Sequence, residues 1–278
     1  MNNKFILNFT PTGMIPTKKM TPKVPILPEE IIEQVLEAAE LGANMAHIHG
    51  RDIETGQPTY RKEIYSEIIN GIRKKNREII IGVTTSGRTY SEFEKRSECL
   101  ELTGDVKPDF GSLTLSSVNF NDQASVNSPQ MIKGLAKKML DNGIRPELEV
   151  FDLGMINYAY YLIRKDLIKP PYYFNLILGN IACAQANLLS LGLMVKELPE
   201  HSIWSAGGVG NFQLTANAMS LIAGGGVRIG LEDNIYFDAE ITFLATNREL
   251  IERIIGVAKV LGRTPYTGRE ARHILGLN

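Results

Sequence analysis

Short runs of apolar, β-prone residues alternate along the chain with longer stretches whose apolar residues recur at helical spacing. The pattern predicts eight strands: Phe5–Phe9, Met45–His49, Ile79–Thr84, Phe110–Leu115, Glu147–Phe151, Tyr172–Leu178, Ile203–Ala206 and Val227–Glu232. Between them, Pro28-Glu29-Glu30 opens a first helix, with proline at its start and acids in its first turn. Ile31, Val35, Leu36 and Ala39 then mark one face, and Gly42 stops it. The same spacing predicts helices over 64–74, 90–102, 129–142, 155–165, 188–196, 212–223 and 237–261, and a last short one over 268–275. Eight βα units in one chain predict a (β/α)8 TIM barrel, with an open doubly wound sheet as the rival. No linker, charge run or repeat divides residues 1–278, so one domain is expected.

Composition narrows the function classes. The 278 residues carry a net charge of −1, with 44% hydrophobic and 22% charged side chains. That balance is foreign to disordered chains and to proteins that grip nucleic acid by bulk charge. No stretch approaches the roughly 20 apolar residues of a membrane span. Phe5–Leu7 is too short for a signal-peptide core. The two cysteines, Cys99 and Cys183, stand far apart and form no zinc or disulfide framework. The expectation is a cytoplasmic protein without nucleic-acid or membrane partners.

In a barrel, chemistry sits where the strands end at their C-terminal face. His47-Ile48-His49 ends the second strand, so both imidazoles face one way. Arg228, Gly230 and Glu232 share a face of the eighth. Strands two and eight both neighbour strand one in a closed barrel, so Glu232 can approach His47 and His49. Two histidines and one carboxylate are the donor set of a zinc site that keeps an open position. The bland reading is a pair of core histidines that satisfy each other. Asp233 could pair with Arg228, either as a positioned base or as a rim ion pair. Glu147 and Glu149 alternate on the fifth strand as candidate acid/base groups, or as rim carboxylates. Thr84 and Ser112 offer hydroxyls at the third and fourth strands. Gly207-Gly208-Val209-Gly210 follows the seventh strand, where barrels often bind phosphate on backbone N–H groups, and where glycines also serve tight turns.

Taken together, several stretches resemble the β-keto acid cleavage enzymes, whose type member acts on 3-keto-5-aminohexanoate. They are Thr12-Gly13, the run from Thr21 to Ile31, Gly42-Ala43 before His47-Ile48-His49, the stretch Pro146-Glu147-Leu148-Glu149-Val150, Gly154-Met155, Trp204, Gly208-Val209-Gly210, Arg228-Ile229-Gly230-Leu231-Glu232-Asp233-Asn234, and Glu270-Ala271 with Ile274-Leu275. The resemblance implies a zinc-dependent barrel, usually a homotetramer. It implies a reaction in which a β-keto acid and acetyl-CoA give acetoacetate and a new acyl-CoA. It implies that His47, His49 and Glu232 hold Zn2+. Asp233, oriented by Arg228, would take the proton, and Glu149 would assist the later acyl transfer. Thr84 and Ser112 would bind the keto acid, while Gly208 and Gly210 would lie on the cosubstrate loop.

Three positions depart from the family pattern. Ile15 stands where the type member has a glutamate that holds the substrate's amino group. The loop 179–187 is short, and Asn211 replaces an arginine. Ile15, between Met14 and Pro16, predicts a β-keto acid with an uncharged, largely apolar tail. The rivals are an amidohydrolase-type or aldol-type metal enzyme and a non-catalytic metal-binding barrel. The position of the H-x-H pair and the absence of further paired histidines speak against both enzyme types.

Overall fold

The computed structural model describes residues 3–277. Eight parallel strands close into a barrel: β1 (Leu7–Phe9), β2 (Met45–Ile48), β3 (Ile80–Val83), β4 (Phe110–Thr114), β5 (Arg145–Val150), β6 (Tyr172–Leu178), β7 (Ser202–Gly208) and β8 (Gly226–Ile229). The order is sequential, and β8 pairs with β1 through Arg228 opposite Asn8. The helices are α1 (Pro28–Glu40), α2 (Lys62–Lys75), α3 (Phe93–Ser97), α4 (Pro129–Asp141), α5 (Leu153–Arg164), α6 (Leu188–Lys196), α7 (Gln213–Ala223), α8 (Asn247–Val260) and α9 (Gly268–Ile274). Their apolar stripes, such as Ile31, Val35 and Ala38 of α1, pack on the outward-facing strand residues. Among the described residues no helix is long and apolar enough to cross a membrane.

The barrel interior is layered. Ile6, Met45, Ile80, Phe110 and Tyr173 form an apolar floor, which Ala271 of α9 and Leu275 just after it close from below. Above it lies a fully buried polar layer of Asn8, His47, Glu147, Asn175, Ser205 and Arg228. This stacking follows from strand alternation: Met45 and His47 point inward from β2, with Ala46 and Ile48 directed to the helices.

Four expected elements differ. The strand over 5–9 splits: Lys4–Phe5 leaves the barrel to pair with Thr264–Pro265. The helix over 90–102 shrinks to α3 and one 3₁₀ turn, because Tyr90 is held elsewhere, its hydroxyl donating to Pro58 O and its ring edge-on to Tyr60. The helix over 237–261 begins only at Asn247. There Thr246 and Glu249 form a capping box, while the Asp238 carboxylate accepts the Thr242 and Phe243 N–H groups in a separate turn. Finally, β8 ends at Ile229 rather than Glu232. At Gly230 the backbone passes so close to Thr10 that a Cβ would lie 2.1 Å from its carbonyl oxygen.

Candidate active site

Glu232 therefore reaches the centre from a turn, not by strand alternation. Its N–H donates to Thr10 O at 3.2 Å. The loop after β1 runs tightly over it: Gly13 takes φ +68°, and a Cβ there would sit 2.5 Å from Glu232 Cγ. Glycine satisfies both demands. Arg51, fully buried, holds the same loop by donating to Gly13 O and Pro16 O at 2.6 and 2.9 Å.

The structure brings His47, His49 and Glu232 together. One ligand atom from each lies within 4.8 Å of the others. The His47 and His49 Nε2 atoms are 3.0 Å apart, and His49 Nε2 is 3.2 Å from Glu232 Oε1. Burial opposes charge on His47, but the Glu147 and Glu232 carboxylates outweigh it and lift its pKa to about 9. Burial drops His49 to about 4 despite Glu232. Burial also disfavours charge on Glu232, yet His49 and Arg228 hold its carboxyl well below the usual range. Among the described residues, Glu232 Oε2 is buried without a hydrogen-bond partner. Two imidazoles and a carboxylate, converging with an unused buried oxygen, fit a divalent metal, and His49 and Glu232 open onto a cavity that leaves room for a further ligand.

Glu147 supports this group from below. Its Oε2 accepts from His47 Nδ1 at 2.7 Å, and its Oε1 accepts from Asn8 Nδ2 at 2.6 Å and from Asn175 Nδ2. That leaves His47 Nε2 facing His49 and Glu232. The sequence marked Glu147 as an acid/base candidate on the fifth strand. Its side chain instead orients a histidine and is itself held by Asn8 and Asn175, which nothing in the spacing singled out.

Arg228 is the fully buried hub. Its Nε donates to Asp233 Oδ2 at 2.9 Å, its Nη2 to Glu232 Oε1 at 2.7 Å, and its Nη1 lies 3.5 Å from Glu149 Oε1. Thr10 Oγ1 also reaches Asp233 Oδ2, at 3.3 Å. Burial raises the Asp233 carboxyl above its ordinary range against the pull of Arg228. Burial raises Glu149 likewise; its Oε2 accepts from Thr114 Oγ1 at 2.7 Å. Two carboxylates beside the candidate metal group thus have their proton affinity raised by burial.

These groups open onto a cavity of about 630 Å³. Ile15 lines it, half-exposed, with Met14, Pro16, Met20, Phe120, Phe151 and Ile235. Thr84 lines it too. Ser112 does not: it is buried one layer lower, where its Oγ accepts the Thr85 N–H at 3.0 Å, and Thr114, two residues on, takes the rim position. Gly210 reaches the cavity edge at φ +62°, but its N–H donates to Asp233 O at 2.7 Å. Gly208 lies off the cavity, packed so closely on the turn that a Cβ would sit 2.4 Å from Phe212 O. Both glycines therefore do turn and packing work here. The sequence reading also missed Arg88, a cavity-lining cation from the loop after β3.

Comparison with known proteins places this geometry. The family model described as beta-keto acid cleavage enzyme matches residues 4–277. The chain is 37% identical over 278 residues to the 3-keto-5-aminohexanoate cleavage enzyme of Fusobacterium nucleatum, covering all of this chain and 99% of that one. It is 33% identical to the 3-oxoadipate:acetyl-CoA acetyltransferase of Cupriavidus necator, covering all of this chain and 96% of that one. Among solved structures, the binary complex of ObcA with oxaloacetate shares the fold, with a TM-score of 0.78 at 22% identity over 92% of this chain and 68% of that one.

Proposed function

The chain belongs to the beta-keto acid cleavage enzyme family, and on that premise we propose that it reacts a β-keto acid with acetyl-CoA. The bond between the keto carbon and the CH₂–carboxylate unit breaks. The CH₂ carbon takes the acetyl group to give acetoacetate, and the remaining acyl group leaves on the coenzyme A sulfur. One observation carries the reading: a His-His-Glu group able to hold a metal opens, through His49 and Glu232, onto the same cavity as an Arg-held aspartate.

His47, His49 and Glu232 would hold a zinc ion. When bound, it supplies a Lewis acid that polarises the keto oxygen and offsets negative charge developing there. Glu147 keeps His47 turned toward that position. Asp233 is the base that takes a proton from carbon, and burial, by raising its pKa, brings its basicity nearer to the demand. Arg228 aims Asp233 and ties it to Glu232 and Glu149. Glu149, whose pKa burial also raises, assists the later acyl transfer. Thr84 donates its hydroxyl to the keto acid. The apolar walls limit water, which would otherwise compete for the acyl group. Met14, Ile15 and Pro16 receive an uncharged, apolar tail.

A homotetramer is the expected assembly. Its support is an apolar stretch left in solvent on and before α6, with Ile181, Leu188 and Leu189 about 70% exposed. The two free cysteines support a cytoplasmic setting. The experiment for the function is turnover of β-keto acids with acetyl-CoA, followed as acetoacetate.

A further inference from the structure

Of the cations that line the cavity, Arg228 is used up by three carboxylates. Two other arginines near the site are equally committed. Arg51 donates to Gly13 O, Pro16 O and Gly56 O, and Arg96 to Thr85 O, Val126 O and Asn127 Oδ1. Arg88 differs. Among the described residues its guanidinium makes no hydrogen bond and no ion pair. It lies instead over the Phe120 ring, its Cζ 3.7 Å from the centroid, and Phe120 is braced edge-on by Phe151 at 5.8 Å. Contact with the ring holds the guanidinium in place while its N–H groups stay unused, and a guanidinium can receive a carboxylate with two parallel bonds. The side chain is partly buried, and the acids of the centre, Glu232, Glu149 and Asp233, attract it from beyond bonding reach. A half-desolvated cation without a partner is costly to keep, and a ligand that completes its bonds recovers that cost.

The proposed reaction supplies such a ligand. Its substrate must bring a carboxylate into a cavity whose walls already hold Glu149, Glu232 and Asp233. The same carboxylate survives unchanged in acetoacetate, so one fixed cation can hold substrate and product alike.

We infer that Arg88 is a substrate-binding residue, the anchor for a carboxylate of the β-keto acid, with Phe120 as the face that aims it. This inference rests on the reading given under Proposed function. The carboxylate has two sources: the one beside the reacting CH₂ group, carried by every β-keto acid, and a second one at the far end of a dicarboxylic tail. The first is favoured, because Arg88 lines the same cavity as Glu232 and Asp233 and feels their charges, along with that of Glu149.

The test uses the metal-loaded enzyme and the variants Arg88→Met, which removes the charge, and Arg88→Lys, which keeps it but loses the fork. Acetoacetate binding is measured by calorimetry. Turnover is measured with an alkyl β-keto acid and with 3-oxoadipate, along with the KM for acetyl-CoA and the metal content. Arg88→Met should weaken acetoacetate binding at least tenfold and raise KM for both keto acids, with Arg88→Lys in between and metal content and acetyl-CoA KM unchanged. A loss confined to 3-oxoadipate would support the anchor but assign it to the tail carboxylate. Unchanged binding and KM for both acids, or a change only in the KM for acetyl-CoA, would overturn it. Failure of the functional reading looks different: the unaltered enzyme would turn over no β-keto acid, whatever the Arg88 variants do to acetoacetate binding.

Discussion

The carboxylate of Glu147 meets the imidazole of His47 at 2.7 Å in the fully buried middle layer of the barrel, and the rest of the centre is arranged around that contact. A carboxylate can only accept, so His47 Nδ1 must donate and its Nε2 must face the metal position. Glu147→Gln keeps the shape and removes the charge. It is expected to weaken zinc binding by about 10- to 100-fold, the usual cost of losing such a supporting partner. Competition with a chromogenic chelator measures it, and unchanged affinity would separate Glu147 from the metal group.

Asp233→Asn should keep the metal, because Asp233 is not among the three clustered ligands. Turnover should fall by about 10²- to 10⁴-fold, the range of a lost general base. The amide still reaches Arg228 and Thr10, so the fold should hold. Metal content and kcat, measured on one preparation, separate this outcome from simple loss of zinc. A variant with near-normal kcat would reduce the Asp233–Arg228 contact to an ion pair at the rim.

Ile15 is 46% exposed on the cavity wall. Ile15→Glu should shift kcat/KM toward an amino-bearing β-keto acid over its alkyl analogue by about 1–2 kcal/mol, the scale of one charge-assisted hydrogen bond. The paired assays decide it. An unaltered enzyme that already prefers the amine would contradict the apolar-tail assignment.

Leu189, 73% exposed, stands with Ile181 and Leu188 on the stretch proposed to be covered in a tetramer. Leu189→Asp should shift the sedimentation of the protein from tetramer toward smaller species, since burying an unpaired carboxylate is expensive. An unaltered protein that sediments as a monomer would remove the basis of that assembly.

The barrel was legible because its period is regular. Eight apolar runs separated by helical spacing admit few folds, and strand alternation correctly turned His47 and His49 to one side. Proximity of the ligand set followed from β8 lying beside β1 and β1 beside β2. The route of Glu232 was not legible, because the turn at Gly230 depends on a close approach to Thr10 that no periodicity encodes. Ser112 and Thr114 share a strand face, and only the strand's height in the barrel decides which reaches the cavity. Arg88 was invisible for a related reason: it lies in a loop, and its meaning comes from Phe120, 32 positions later, on which its guanidinium stacks. Helix ends failed where side chains compete with the helix, as Tyr90 and Asp238 do.

The most direct test of the account is a panel of β-keto acids with acetyl-CoA, run on the zinc-loaded protein and on the same protein stripped by a chelator, with acetoacetate and acyl-CoA measured together. The account predicts equal amounts of acetoacetate and a new acyl-CoA, fastest with an alkyl-tailed acid, lost on stripping and restored by zinc. Absence of both products across the panel, or equal rates with and without metal, would contradict it.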